Sequence, residues 1–302
     1  MTTNRDSINL GRVITAMVTP FTDNLEMDYK AAADLAKYLV DLGTDGIVVS
    51  GTTGEAPVTH REEKMELISV VKQVVDVPVI AGVGSNDTEH TISNAINAAE
   101  AGADAVLVVT PYYSRPTQAG LIAHFSAVAQ SSKVPVILYD VPSRSGVKIA
   151  PETYVELAKN ENIVAVKDAT GNVYQATKNL RDMNLARSQE GIQNKIQLFS
   201  GDDGLLLPFL SVGATGVISV ASHLCADKFQ KVIEHFDKAE IQEALDVYYQ
   251  CTDIVDALNG RGAQAVDTKG ALKLKGILSN DLLRLPNVGI DKEGIERLQK
   301  LI

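Results

Sequence analysis

"VPVILYDVPSRSG", residues 134–146, decides the fold. An unbroken apolar run, "VPVIL", gives way at once to a phenol and a carboxylate, and then to a proline and a glycine. A strand with one wet face alternates apolar and polar residues, whereas a strand covered on both faces stays apolar throughout. The polar residues of this stretch therefore stand where a doubly covered strand leaves the core.

The same signature recurs along the chain. It is present in "VITAMVTP" at 13–20, "DGIVVSG" at 45–51, "VPVIAGVG" at 77–84 and "ADAVLVVTP" at 103–111. It returns in "NIVAVKDATG" at 162–171, "KIQLFSGDD" at 195–203 and "ATGVISV" at 214–220, making eight runs with the first. Segments of helical period lie between them. "DYKAAADLAKYLVDLG" places Leu35, Tyr38, Leu39 and Leu42 on one face. Thr59 followed by Glu62 has capping-box spacing, and Gly43, Gly102 and Gly213 stand where helices should end.

Eight buried strands alternating with helices predict an α/β fold, a (β/α)8 TIM barrel. The rival, a doubly wound open sheet, usually carries a Gly-rich phosphate loop after its first strand. Here that strand ends in "VTPF", without such glycines. From about Asp227 the pattern is helical without strands, which predicts a C-terminal helical extension. The expected division is a barrel catalytic domain, 1–230, and a helical domain, 231–302.

Composition narrows the function. Charged residues are 22% of 302 and the net charge is −10, which argues against nucleic acid and anionic membranes as partners. No apolar stretch approaches the ~18 residues of a membrane span. The N-terminus lacks the apolar core of a signal peptide, and Cys225 and Cys251 make no disulfide framework. A cytoplasmic protein is expected. The five histidines have no metal-ligand spacing and no GxGxxG follows a strand, so neither a metal nor a dinucleotide cofactor is expected.

The unusual polar residues gather at the C-terminal ends of the strands, where barrel chemistry resides: "SGTTGE", "TPYYSRP", "YDVPSRSG", "KDATG" and "SGDDG". Lys167 directly follows "NIVAV", so its stem begins inside the barrel. Desolvation favours the neutral amine, a nucleophile that forms a Schiff base with a carbonyl compound. The plain alternative is a lysine reaching solvent or pairing with Asp168. Tyr139 ends the neighbouring strand and can pass a proton to a carbinolamine; its alternative is a core tyrosine with a satisfied hydroxyl. "GTTGE" offers hydroxyls and backbone N–H groups to a carboxylate, or is simply a turn. Arg144 offers a fork to a second carboxylate, or a surface ion pair. Tyr112 and Tyr113 are adjacent, so one can pack while the other protrudes. Asp202 and Asp203 are expected to cap the next helix.

"GTTGE", "VTPYYSRP", "LYDVPSRSG", "VKDATG", "SGDD" and "GVISV", in this order, resemble the pyruvate-dependent class I aldolases of the dihydrodipicolinate synthase and N-acetylneuraminate lyase family. The resemblance spans roughly residues 11–302, and Thr52–Thr53, the tyrosine pair and Arg144 match its dihydrodipicolinate synthase branch. It implies that Lys167 forms the imine with pyruvate and that Tyr139 is the acid/base. It further implies a hydroxyl relay of Thr52 and Tyr113, with Tyr113 reaching into a neighbouring subunit's site. Thr53, Ile218 and Gly201 would hold pyruvate, and Arg144 would receive the carboxylate of L-aspartate 4-semialdehyde. The implied assembly is a homotetramer, a dimer of dimers, and no cofactor is implied. The alternative within the family is cleavage of N-acetylneuraminate or a 2-keto-3-deoxy sugar acid; outside it, a non-catalytic barrel that senses pyruvate.

Two departures stand out. "GRGAQAVDT" replaces the Asn-Pro-Ile-Pro-type stretch of many members, so no site residue is expected from it. Lysine-inhibited members hold lysine at a dimer interface. There this chain keeps Asn86 but has Arg61 and Lys64 in place of histidines, and His90 in place of an acid. Insensitivity to lysine is the expectation, with Tyr112 left to packing.

Overall fold

The apolar runs fold as short parallel strands that close into a barrel in sequential order. The structure, a computed structural model, describes residues 8–259 and 262–302. β1 (Val13–Ala16), β2 (Gly46–Val49), β3 (Val79–Gly82) and β4 (Ala105–Val109) form one half. β5 (Val136–Asp140), β6 (Ile163–Asp168), β7 (Gln197–Ser200) and β8 (Gly216–Ser219) form the other, and β8 pairs back onto β1. Closure removes both sheet edges.

The outer ring contains α1 (Tyr29–Asp41), α2 (Arg61–Lys72), α3 (Thr88–Glu100) and α4 (Gln118–Ser131). It continues through the short α5 (Pro142–Ser145), α6 (Pro151–Ala158), α7 (Val173–Gln189), the short α8 (Leu206–Leu210) and α9 (Ser222–Asp237). α10 (Ile241–Tyr249), α11 (Thr252–Asn259), α12 (Gln264–Leu274) and α13 (Lys292–Gln299) make the extension. The expected division at 230/231 falls inside α9. Among the described residues no helix is long and apolar enough to cross a membrane.

Strand alternation sorts the core into two layers. Ile14, Val48, Ile80, Leu107, Ile137 and Phe199 fill the barrel, while Ile47, Val49, Val79, Val106, Leu138 and Val166 pack outward against the helices. This double burial is why the runs are apolar without alternation. The extension docks through α10 onto the side of α9. It also reaches the C-terminal mouth, where Val220 packs with Ala257, Leu258, Ala271 and Leu298.

Local signals hold with one shift. Gly43 and Gly102 follow the C-caps of α1 and α3 with φ of +109° and +102°, a region that L side chains rarely adopt. The capping box of α2 lies one residue later than the spacing predicts. Glu63, not Glu62, reaches back to the N–H of His60 at 2.8 Å. Thr59 is drawn into the turn of 56–58, where its hydroxyl donates to the Ala56 carbonyl at 3.2 Å.

Candidate active site

The β5–β6 register sets Tyr139 opposite Lys167 and Asp140 opposite Asp168. Alternation turns the first pair into the barrel and the second out toward the helices. Asp140 is sealed there, accepting from the Tyr154 hydroxyl at 2.9 Å and from the Ile149 N–H at 3.2 Å. Asp168 accepts from the Thr170 N–H at 2.8 Å. The pairing of Lys167 with Asp168 that the sequence leaves open does not form, because adjacent strand residues face opposite ways.

Lys167 is 6% exposed, with its Nζ 4.5 Å from the centre of the Tyr139 ring. Burial lowers its pKa from 10.5 to about 8; the carboxylate of Asp203 opposes this shift and the guanidinium of Arg144 assists it. Burial likewise raises Tyr139, while Arg144 and a hydrogen bond from Thr52 restrain the rise. Amine, phenol and threonine hydroxyl thus meet at the end of the barrel.

A cavity of about 690 Å³ opens over them. Thr52 and Thr53 enter it from the loop after β2, a turn closed by bonds from the Glu55 N–H to the Thr52 carbonyl at 3.1 Å and from the Ala56 N–H to the Gly51 carbonyl at 3.2 Å. Arg144 stands on α5 at the cavity wall, with no ion-pair partner among the described residues. Gly201 lines the floor beside Lys167. A Cβ there would lie 2.8 Å from that of Ala169, so only glycine fits. Ile218 does not reach the cavity. It lies deeper in the barrel core, and Val220, two residues on, forms the wall. Tyr112 lines the cavity, whereas Tyr113 lies outside it, 92% exposed, with φ of 73°.

The paired acids divide their work. Asp202 accepts from the Gly204 N–H at 2.9 Å, the expected capping role. Asp203 does something else: it accepts from the N–H groups of Val220 and Ala221 at 3.2 and 2.8 Å, pinning the exit of β8. The extension supplies two wall residues that sequence reading missed, Asn259 and Gln264. Gln264 donates to Asn259 at 2.6 Å, and Asn259 donates to Asp203 at 2.9 Å. Helical periodicity carries no signal that a helix end folds back over the barrel mouth. The cavity also runs between the starts of α2 and α3, where Arg61, Lys64 and His90 line it.

A buried amine of lowered basicity, open to a cavity, is equipped to attack carbonyl compounds. With the barrel, it defines the class: a lyase of the Schiff-base-forming, class I aldolase type. Residues 9–302 match the model of the Dihydrodipicolinate synthetase family, and the chain belongs to that family. It is 49% identical over 295 residues to a 4-hydroxy-tetrahydrodipicolinate synthase of Bifidobacterium longum, covering 98% of this chain and 94% of the relative. Among solved structures it resembles a dihydrodipicolinate synthase from Bacillus anthracis, with TM-score 0.91 and 41% identity over 97% of this chain and 98% of that one. It also resembles the enzyme from Cyanidioschyzon merolae with lysine bound, with TM-score 0.90, 39% identity and 97% of both chains covered.

Proposed function

We propose that the chain condenses pyruvate with L-aspartate 4-semialdehyde through a Schiff base on Lys167. The observation that carries this reading is the buried Lys167 amine, lowered to about 8 and in contact with the ring of Tyr139, at the floor of the cavity. Lys167 Nζ attacks the ketone carbon of pyruvate. Tyr139 protonates the carbinolamine hydroxyl, which leaves as water. Loss of a methyl proton from the imine gives the enamine, whose carbon attacks the aldehyde. The second substrate's amine then displaces Lys167 and closes the ring. Thr52, which lines the cavity with Tyr139, relays protons, while Thr53 and Gly201 bound the pyruvate pocket and Ile218 supports it from below. The guanidinium of Arg144, without an ion-pair partner among the described residues, receives the semialdehyde carboxylate.

We extend the proposal to assembly, site of action and regulation. Tyr113 is almost fully exposed in the single chain, which fits a side chain completed by a second subunit, in a homotetramer of cytoplasmic location. Insensitivity to lysine is supported by Arg61 and Lys64, both lining the cavity without ion-pair partners among the described residues, and by His90 on the facing helix. A lysine ammonium held beside two like charges, without a carboxylate, loses several kcal/mol.

The test is borohydride trapping. Pyruvate and borohydride together are expected to leave one reduced adduct on Lys167 by mass spectrometry; an adduct on another lysine refutes the assignment. Turnover of pyruvate with the semialdehyde, set against cleavage of N-acetylneuraminate and 2-keto-3-deoxy sugar acids, decides the substrate. Lysine up to roughly millimolar concentration is expected to leave the rate unchanged; sub-millimolar inhibition refutes the proposed insensitivity.

A further inference from the structure

The turn that carries Thr52 and Thr53 ends at Glu55, whose backbone is left-handed at φ of 56°. Residues with a Cβ adopt that conformation uncommonly, and here the turn is packed on both sides. The groups that hold its carboxylate come from the far end of the chain. Lys269, on α12, donates from Nζ to the Glu55 carboxylate at 2.6 Å and to the Leu282 carbonyl at 2.8 Å. The N–H of Arg284 donates to the other carboxylate oxygen at 3.1 Å. Both side chains of the ion pair are 1% exposed. The ring of Phe21 lies 4.2 Å from the Lys269 ammonium and 4.6 Å from the Arg284 guanidinium. That guanidinium grips Glu63 of α2 at 2.6 and 2.8 Å. On the other side of the turn, the Thr19 hydroxyl donates to the Gly54 carbonyl at 2.7 Å.

A buried ion pair contributes little net stability compared with an apolar contact of the same volume, so docking the extension does not by itself call for one. What this pair adds is direction. Its carboxylate belongs to the residue that ends the threonine turn, and neither Glu55 nor Lys269 lines the cavity. We propose that Glu55 and Lys269 are positioning residues: through them the C-terminal extension fixes the Thr52–Thr53 turn so that the Thr52 hydroxyl is held in the cavity that Tyr139 also lines. The inference rests on the proposed role of that hydroxyl in the condensation.

The experiment compares Glu55→Gln, Lys269→Met and Thr52→Val with Arg297→Met. The last breaks the 2.7 Å pair of Arg297 with Asp267 elsewhere in the extension. Turnover, KM for both substrates, pH profile, melting temperature and borohydride adduct are measured for each. Glu55→Gln and Lys269→Met are expected to lower kcat by about tenfold or more. Thr52 restrains the burial-driven rise of the Tyr139 phenol, so its displacement moves the alkaline limb upward, in these variants as in Thr52→Val. Arg297→Met is expected to lower the melting temperature with the limb in place. Unchanged kcat, or a lowered kcat with an unmoved limb, overturns the proposal. If neither clamp variant folds, Glu55→Asp decides. It keeps the charge but shortens the reach, so an unchanged kcat and limb overturn the clamp. Absence of a pyruvate adduct on wild-type Lys167 overturns instead the condensation reading on which it rests.

Discussion

Two pairs of titratable side chains sit side by side on β5 and β6, and they solve one problem in opposite ways. Tyr139 and Lys167 face the barrel; Asp140 and Asp168 face the helices. Burial is the largest influence on all four and pushes each toward its neutral form. The inner pair opens on a cavity, so a neutral amine there can meet a carbonyl compound. The outer pair faces the helices, and Asp140 lies beneath α6, where a neutral carboxyl is a structural hydrogen-bonding group. Desolvation alone therefore does not mark a functional residue; desolvation with access does.

The sharpest way to break this comparison is Lys167→Ala. The side chain makes no ion pair among the described residues, so its loss is expected to leave the melting temperature nearly unchanged. Activity should fall on the order of 10⁴-fold or more, and the borohydride adduct should vanish. Tyr139→Phe comes next: it keeps the ring beside Lys167 and removes the proton, so kcat should fall about 10²–10⁴-fold while trapping on Lys167 persists. A third test reads the amine directly. With a pKa of about 8, roughly a tenth of Lys167 is neutral at pH 7, against a few parts in ten thousand at an ordinary lysine. The initial rate of pyruvate-dependent trapping should rise with pH to a midpoint near 8. A midpoint near 10 would place the inner pair in water-like surroundings and dissolve the contrast.

The sequence carries the fold because double burial is written into composition. Runs such as "VPVIL" and "NIVAV" have no other economical placement, and the eight strands lie within them. The placement of Lys167 and Tyr139 was legible for the same reason, since both end such runs and alternation fixes where they point. Properties set by residues distant in sequence were not legible. Nothing near Asp203 announces that it will hold the N–H groups of Val220 and Ala221, and nothing near Gln264 announces that it will line the cavity. The role of Asp140 was equally hidden, because its partner Tyr154 belongs to the outer layer. Thr59 illustrates a local miss, where a competing turn hydrogen bond displaced the capping box by one residue.

The smallest expected effect concerns the outer pair. Burial raises the folded-state pKa of Asp140 to about 7, and Asp168 adds to the rise while the Tyr154 hydroxyl restrains it. An unfolded chain holds an aspartate near 3.9. Between these values the folded protein keeps a proton that the unfolded chain has released. Stability from this group is therefore complete below about pH 4 and is lost as pH rises toward 7, by on the order of a few kcal/mol across the window. Asp140→Asn keeps a neutral acceptor for Tyr154 and Ile149 and does not titrate. Relative to wild type, its melting temperature should gain steadily from pH 4 to 7 and level off above. Its kcat near neutrality should stay within about threefold of wild type, because the side chain faces away from the cavity. A large loss of kcat would show that the outer pair acts on the inner one across the strand backbone, and a parallel pair of melting curves would show that Asp140 is ionised throughout.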